Sequence, residues 1–412
     1  MIAAPSSGSG KTTFTIGLLR ALRDRGLCVQ PFKCGPDYID TKFHERVCGR
    51  PSINLDTFMA TPEHVRELFA HYGADADACI VEGMMGLFDG YDRDRGSSSE
   101  IARVLGIPVV LVVDAKSAAY STAALLQGFV HFRKDLRITG VVFNRVGSER
   151  HHQMLQQVCD DLQLPCFGYL PKASALEQGS RYLGLDFSEQ TDSNALATLV
   201  ENHIDIDALL SLNSEKPLQI TEPWLTNNAS QIVVARNAES FSFIYQENLD
   251  RWRNVTFFDP EHDVPQLDDV DLLYLPGGYP EKHVEALTAN NACREAIRNY
   301  AERGGRIVAE CGGMMYLCES IVTDEGTYPL CGVLPYTITA RASDRKLSLG
   351  YRQFVLNGKK YRGHEFHYTQ FLGSVPPSIC QVYNAKGEPV STPVIQHKNV
   401  FASYTHLYSL PL

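Results

Sequence analysis

The sequence predicts an α/β protein of two units, the first built on a doubly wound, mostly parallel sheet and the second on a further α/β sheet. Three observations point there. Ser6-Ser7-Gly8-Ser9-Gly10-Lys11-Thr12-Thr13 has the ending of a phosphate-binding loop. Short β-branched runs alternate with helical stretches through the first half. After a polar, Pro-containing stretch the same alternation begins again.

The first unit is read from residues 1–210. Met1-Ile2-Ala3-Ala4 supplies the strand expected before the loop. It is short for a central strand, so the natural chain is expected to begin a few residues earlier. Backbone N–H groups around Gly8, Ser9 and Gly10 can wrap a phosphate. Lys11 can reach the outer phosphates, the Thr12 hydroxyl can hold Mg²⁺, and Thr13 completes the motif. Pro5 stands where the usual pattern begins with Gly. Residues 14–22 have helical spacing, so the loop opens onto a helix N-terminus that favours the anion. Residues 78–82, 108–114 and 138–144 read as buried strands, and 63–72 and 121–132 as helices. Residues 211–230 read as a linker. Beyond them, 231–235, 271–275 and 306–310 read as strands of a second unit, 231–412.

Composition narrows the function. The 412 residues are 44% hydrophobic and 21% charged, ordinary for a globular protein. A formal charge of −10 without a basic run argues against a nucleic-acid partner, although a local basic pocket for a polyanionic small molecule remains open. Eleven cysteines, an odd number with no C-x-x-C pair, argue against a disulfide framework or zinc ribbon and for a reducing compartment. The longest apolar run, 107–113, is too short to span a bilayer. A soluble cytoplasmic protein without a membrane partner is expected.

Ligands of open α/β sheets bind at the carboxyl ends of strands, and Glu82, Asp89 and Asp114 lie at or soon after such ends. Each has a plain alternative as a solvated loop carboxylate. Glu82, before Gly83-Met84-Met85-Gly86, is the best placed to hold Mg²⁺ or its waters opposite Thr12. In Lys33-Cys34-Gly35-Pro36-Asp37-Tyr38-Ile39-Asp40, a lysine and two carboxylates on a Gly-Pro-bounded loop suit metal or substrate positioning, or equally a charged turn. The Asn144 amide, which donates and accepts, suits reading of a nucleotide base.

In the second half, residues 306–317 run from a strand through Glu310-Cys311-Gly312-Gly313 into a helix. That is an elbow exposing a nucleophile, with the helix N-terminus favouring the thiolate. The other ten cysteines read as inert. Leu275-Pro276-Gly277-Gly278-Tyr279-Pro280-Glu281 offers backbone N–H groups for an oxyanion hole. His406 is a candidate base for the thiol, with His364 and His367 as competitors.

These segments, with Val-Glu-Gly-Met-Met-Gly-Leu-Phe-Asp-Gly and Gly-His-Glu-Phe-His-Tyr, resemble the cobyrinic acid a,c-diamide synthase family over essentially the whole chain. These are glutamine-dependent amidotransferases of corrinoid biosynthesis, and Pro5 belongs to their loop pattern. The resemblance implies an ATP- and corrinoid-binding P-loop domain akin to dethiobiotin synthetase, followed by a class I glutamine amidotransferase-like domain. It implies Cys311 as glutaminase nucleophile, His406 as its base, and Gly277, Gly278 and Gly312 around the glutamine. Asp37, Tyr38, Ile39, Asp40, Glu82 and Asp89 would lie around substrate and nucleotide. ATP and Mg²⁺, glutamine, and cobyrinic acid or a related tetrapyrrole (hydrogenobyrinic acid or nickel sirohydrochlorin) are the implied ligands. A homodimer is one assembly it allows. Triad glutaminases place a Glu two residues after the His, where this chain has Tyr408, consistent with a Cys-His dyad. The chain departs from the family at Tyr182, where His is commoner. Cobyric acid synthase, or a P-loop regulator with a pseudo-amidotransferase tail, are the rival readings. The implied chemistry activates two acetate carboxylates in turn as acyl phosphates, which ammonia reaches by a closed path.

Overall fold

The computed structural model describes residues 1–172, 192–212 and 230–411. Contacts divide the chain into two compact units, Met1–Glu222 and Pro223–Leu412. Most of the expected linker, and Tyr182, lie outside the described residues.

The first unit holds seven strands: β1 (Ile2–Ala3), β2 (Val29–Cys34), β3 (Ile53–Leu55), β4 (Ala78–Glu82), β5 (Val109–Asp114), β6 (Ile138–Val146) and β7 (Cys166–Pro171). They lie in the order β3-β2-β4-β1-β5-β6-β7, and all their pairings are parallel. Two residues suffice for the central β1 because both its edges are used: Ile2 pairs with Glu82 and with Val110. The crossovers are α1 (Lys11–Asp24), α2 (Asp40–Cys48), α3 (Pro62–Gly73), α4 (Ser98–Leu105), α5 (Thr122–Phe132) and α6 (Glu149–Leu162), followed by α7 (Ser193–His203) and the short α8 (Ile206–Leu210). Thr61, Ser97 and Ser148 cap α3, α4 and α6 by accepting a backbone N–H of the first turn, each stabilising its helix by about 1 kcal/mol. One core packs Ile2, Val110, Val112 and Val142 beneath Phe14 and Leu18 of α1 and Leu196 and Val200 of α7. The α1–α7 approach is close enough that a Cβ on Gly17 would sit 2.9 Å from Val200 Cγ2.

In the second unit, β8 (Gln231–Ala235), β9 (Asn254–Phe258), β10 (Leu272–Leu275), β11 (Ile307–Glu310), β12 (Val394–His397) and β13 (Val400–Ser403) form a sheet ordered β12-β13-β11-β10-β8-β9. Only the β12–β13 pairing is antiparallel. The two faces of this sheet are covered differently. One face packs Leu273, Ile307 and Ala309 against helices α9 (Asn291–Glu302) and α10 (Gly312–Leu317) through Ile297, Tyr300 and Met314. The other face packs Ile232, Val234, Tyr274 and Val308 against Phe354, Tyr361, Val382 and Leu407. These belong to a second, antiparallel sheet built on the hairpin Ser348–Leu356 and Lys359–His367. Its turn is Asn357-Gly358, with φ of 51° and 78°. Both residues are left-handed, as a two-residue hairpin of this twist requires.

Candidate active sites

The first site lies at the carboxyl ends of β1, β2 and β4. Gly8 (φ 75°) and Gly10 (φ 96°) turn the loop left-handed, a conformation that lets successive N–H groups converge. Lys11, at the start of α1, is buried and donates to the Met85 carbonyl at 2.6 Å and weakly to that of Ser6 at 3.4 Å. Burial, helped by the neighbouring Lys33 charge, lowers its ammonium to about 8. The Thr12 hydroxyl donates to Glu82 Oε1 at 2.7 Å and lies 3.3 Å from Asp40 Oδ2. Thr13 follows, half-buried on the first turn of the helix.

Glu82 ends β4 and is fully buried. Lys33, on the adjacent β2, bridges it at 2.8 Å to Asp40 at 2.6 Å. His44 Nε2, on α2, lies 2.7 Å from the other Glu82 oxygen, and its Nδ1 lies 3.0 Å from the Ser52 hydroxyl. Burial alone would raise the Glu82 carboxyl, but Lys33 and His44 outweigh it and hold the group well below the carboxylate range. Asp40 goes the other way: burial and the neighbouring Asp37 charge raise it to about 7. A threonine hydroxyl and two carboxylates thus converge around one ammonium. This hard-oxygen set suits Mg²⁺, which keeps waters and phosphate oxygens as its remaining ligands. Among the described residues no group of three His, Cys, Asp or Glu is placed to hold a metal.

The other expected residues take supporting places. Asp37 Oδ1 accepts the N–H groups of Ile39 and Asp40, both at 2.9 Å, and so fixes the entry to α2. The Tyr38 ring is buried beside it, and Ile39 is half-exposed. Asp89 Oδ2 accepts the Gly86 N–H at 3.0 Å, closing the loop that presents Met85 to Lys11. Asn144, expected to read a base, reaches the phosphate loop itself. Its Nδ2 donates to the Ser9 carbonyl at 2.9 Å and its Oδ1 accepts from the Arg145 N–H. The amide therefore braces the phosphate loop. Arg145 adds a second brace, donating to Gly8 O at 3.1 Å and to Asp114 Oδ2 at 2.5 Å. His44 and Ser52 were not singled out from sequence. The available signal was His44 standing four residues after Asp40, on the same face of a helix.

The second site is at the carboxyl ends of β10, β11 and β13. Cys311 occupies the turn between β11 and α10 with φ 46° and ψ −108°, a strained backbone for a residue with a Cβ. Its N–H donates to the Ser403 carbonyl at 2.7 Å, and its thiol lies 3.8 Å from the Phe366 carbonyl. Burial pushes the thiol well up, against the pull of the Gly312 N–H. The small neighbours are required: a Cβ on Gly313 would lie 2.0 Å from the Leu275 carbonyl, and one on Gly312 would lie 2.9 Å from that of Gly278. The Gly-Gly loop after β10 is thereby laid on the elbow.

His406 comes from the chain just beyond β13. Its imidazole is fully buried and held down to about 3 by that burial and by His364 and His367, so it is neutral. Gly277 lies against it, since a Cβ there would meet His406 Cε1 at 2.0 Å. Glu310 joins the two halves: Oε1 accepts the Leu407 N–H at 2.9 Å and Oε2 accepts the Tyr274 hydroxyl at 2.7 Å. The residue before the cysteine therefore positions the residue after the histidine. Of the competing bases, His367 has both ring nitrogens engaged, with Glu365 at 2.8 Å and the Thr369 carbonyl at 2.8 Å. Tyr408 is the hydrogen-bond partner of Glu247.

A phosphate loop with a buried oxygen cluster in one unit, and a cysteine elbow and a buried neutral histidine at the strand ends of the other, define a nucleotide-binding domain joined to a glutamine amidotransferase. The CobQ/CobB/MinD/ParA nucleotide-binding domain family matches residues 1–185, and the CobB/CobQ-like glutamine amidotransferase domain family matches residues 231–411. The hydrogenobyrinate a,c-diamide synthase of Brucella anthropi is 40% identical over 99% of this chain and 97% of its own. The cobyrinate a,c-diamide synthase of Listeria monocytogenes is 39% identical over 99% of this chain and 95% of its own. Among solved structures, the cell division ATPase MinD of Pyrococcus furiosus aligns with 50% of this chain and 98% of its own at 20% identity and a TM-score of 0.33, too low to carry an argument. The chain belongs to the cobyrinate/hydrogenobyrinate a,c-diamide synthase family.

Proposed function

We propose that the protein amidates the a and c acetate carboxylates of cobyrinic acid, using ATP and glutamine, in the cytoplasm. The observation that carries this reading is the match to a,c-diamide synthases along nearly the full length of both chains. Relatives named for hydrogenobyrinate match as closely as those named for cobyrinate, so the metal-free corrin is the second substrate to test.

In the first unit the loop N–H groups and Lys11 would hold the outer phosphates of ATP, while Thr12, Asp40 and Glu82 would hold Mg²⁺. When bound, the metal supplies positive charge against the phosphate oxygens. An acetate oxygen of the substrate attacks the γ-phosphorus, ADP departs, and a good leaving group replaces a poor one. Lys11 and the loop amides offset the charge spread over the transferring group. In the second unit neutral His406 takes the Cys311 proton as sulfur attacks the glutamine amide carbon. The N–H groups of Gly278 and Gly312 would receive the oxyanion. The proton returns to the departing nitrogen, ammonia leaves, and water cleaves the thioester to glutamate. Ammonia then displaces phosphate from the acyl phosphate, giving the amide, and the cycle repeats on the second acetate.

The test is a mass-spectrometric count of amides formed with MgATP and glutamine on cobyrinic acid, hydrogenobyrinic acid and nickel sirohydrochlorin. Two additions on cobyrinic acid, and no more on long incubation, are expected. Turnover confined to another macrocycle would reassign the substrate, and turnover on none would overturn the reading.

A further inference from the structure

Glu281 closes the Gly-Gly loop on a short 3₁₀ turn, Pro280–Lys282, immediately beside the nucleophile. A Cβ on Gly312 would lie 2.7 Å from Pro280 Cδ, so the turn rests directly on the Cys311–Gly312 elbow. The Glu281 side chain is half-buried and close enough for its charge to act on both Cys311 and Tyr404. Every cation near it is used or turned elsewhere. Lys282 lies over the Tyr279 ring, 4.6 Å from its centroid. His283 sits between Glu239 at 3.2 Å and Glu261 at 3.3 Å. Arg345 is near but exposed and makes no ion pair with Glu281. Glu281 bonds its own backbone N–H, and no side chain among the described residues donates to it. A carboxylate sheltered beside a nucleophile and left without a cation is arranged to receive one from a ligand.

We propose that Glu281 reads the α-ammonium group of the glutamine whose side-chain amide is cleaved at Cys311. The proposal rests on the glutaminase reading above and deepens it. It explains how the site tells an amino acid from a bare aliphatic amide, which the loop N–H groups cannot do, because they see only the scissile carbonyl. Burial raises the Glu281 carboxyl to about 7, against the pull of Lys282, Arg345 and His283. A bound ammonium would bring it down, so glutamine binds together with loss of a proton.

The experiment compares wild type with Glu281→Gln in glutamine hydrolysis, using glutaramate (glutamine without its α-amino group) as a competing ligand. The glutamine KM is expected to rise about 10- to 100-fold, the loss of a hydrogen bond between charged groups. The kcat should stay near wild type, and the inhibition constant of glutaramate should not change. Glu281→Asp is expected to recover part of the glutamine affinity. A glutamine KM like wild type in Glu281→Gln would overturn the proposal. So would equal weakening of glutamine and glutaramate, because a damaged pocket loses both alike. Wild type that hydrolyses no glutamine would instead remove the glutaminase reading itself.

Discussion

At the scale of single residues, two glycines are held by contacts that leave no room for a methyl group. Gly10 has φ 96°, and a Cβ there would lie 2.0 Å from Asn144 Nδ2. Gly10→Ala adds the left-handed penalty of about 1–2 kcal/mol and pushes Asn144 off the Ser9 carbonyl. The expected result is ATP binding weakened at least about tenfold by calorimetry, with glutamine hydrolysis intact. Gly277→Ala does the converse. Its methyl would displace the His406 ring, and a misplacement of that size costs about a hundredfold in rate. Glutamine hydrolysis should fall accordingly while ATP binding is unchanged, and equal loss of both would argue for general unfolding. The phosphate loop and the cysteine elbow were legible in the sequence because their chemistry needs consecutive residues. His44 and Ser52 were not, because they reach Glu82 from α2 and the chain before β3 only once the sheet is assembled. The contact of Asn144 with the phosphate loop was not legible, because an amide at a strand end looks the same whether it faces a base or a neighbouring loop.

At the scale of elements, the parallel strands were legible as unbroken β-branched runs, and their observed ends fall within two residues of expectation. The antiparallel sheet under the second unit was missed. Residues 348–367 carry Arg, Lys, Gly and Tyr on a half-exposed surface, so no continuous apolar run marks them. The Asn357-Gly358 turn between them was the available signal. The parallel sheet contains a testable joint of its own in Glu310, which links β11 to β10 and to the residue after His406. Burial raises its carboxyl from 4.5 to about 8. Between those values the folded protein holds a proton that the unfolded chain has released. The resulting stability is complete below pH 4.5 and is lost as pH rises through 8. Glu310→Gln carries no such proton. The thermal midpoint of wild type should therefore fall relative to that of Glu310→Gln from pH 5 to pH 9, and parallel curves would refute the assignment.

At the scale of the whole molecule, one unit carries the phosphate chemistry and the other the nitrogen chemistry, so each should be removable alone. Cys311→Ser is expected to abolish amidation from glutamine while leaving amidation from ammonium salt within about twofold, since the thiol takes no part in phosphoryl transfer. Lys11→Ala should abolish amidation from either nitrogen source. Amide counts by mass spectrometry read both variants, and loss of the ammonium-supported reaction in Cys311→Ser would contradict separate sites.

The Lys33 ammonium, between Asp40 and Glu82 at 2.6 Å and 2.8 Å, keeps two buried carboxylates from facing each other unscreened. It acts as a resident placeholder for positive charge. With that charge in place the carboxylates are already paired, and on the proposed reading the divalent cation would arrive and depart with each nucleotide. Dialysis against a chelator should silence amidation without loosening the fold, and adding back MgATP should restore it at once.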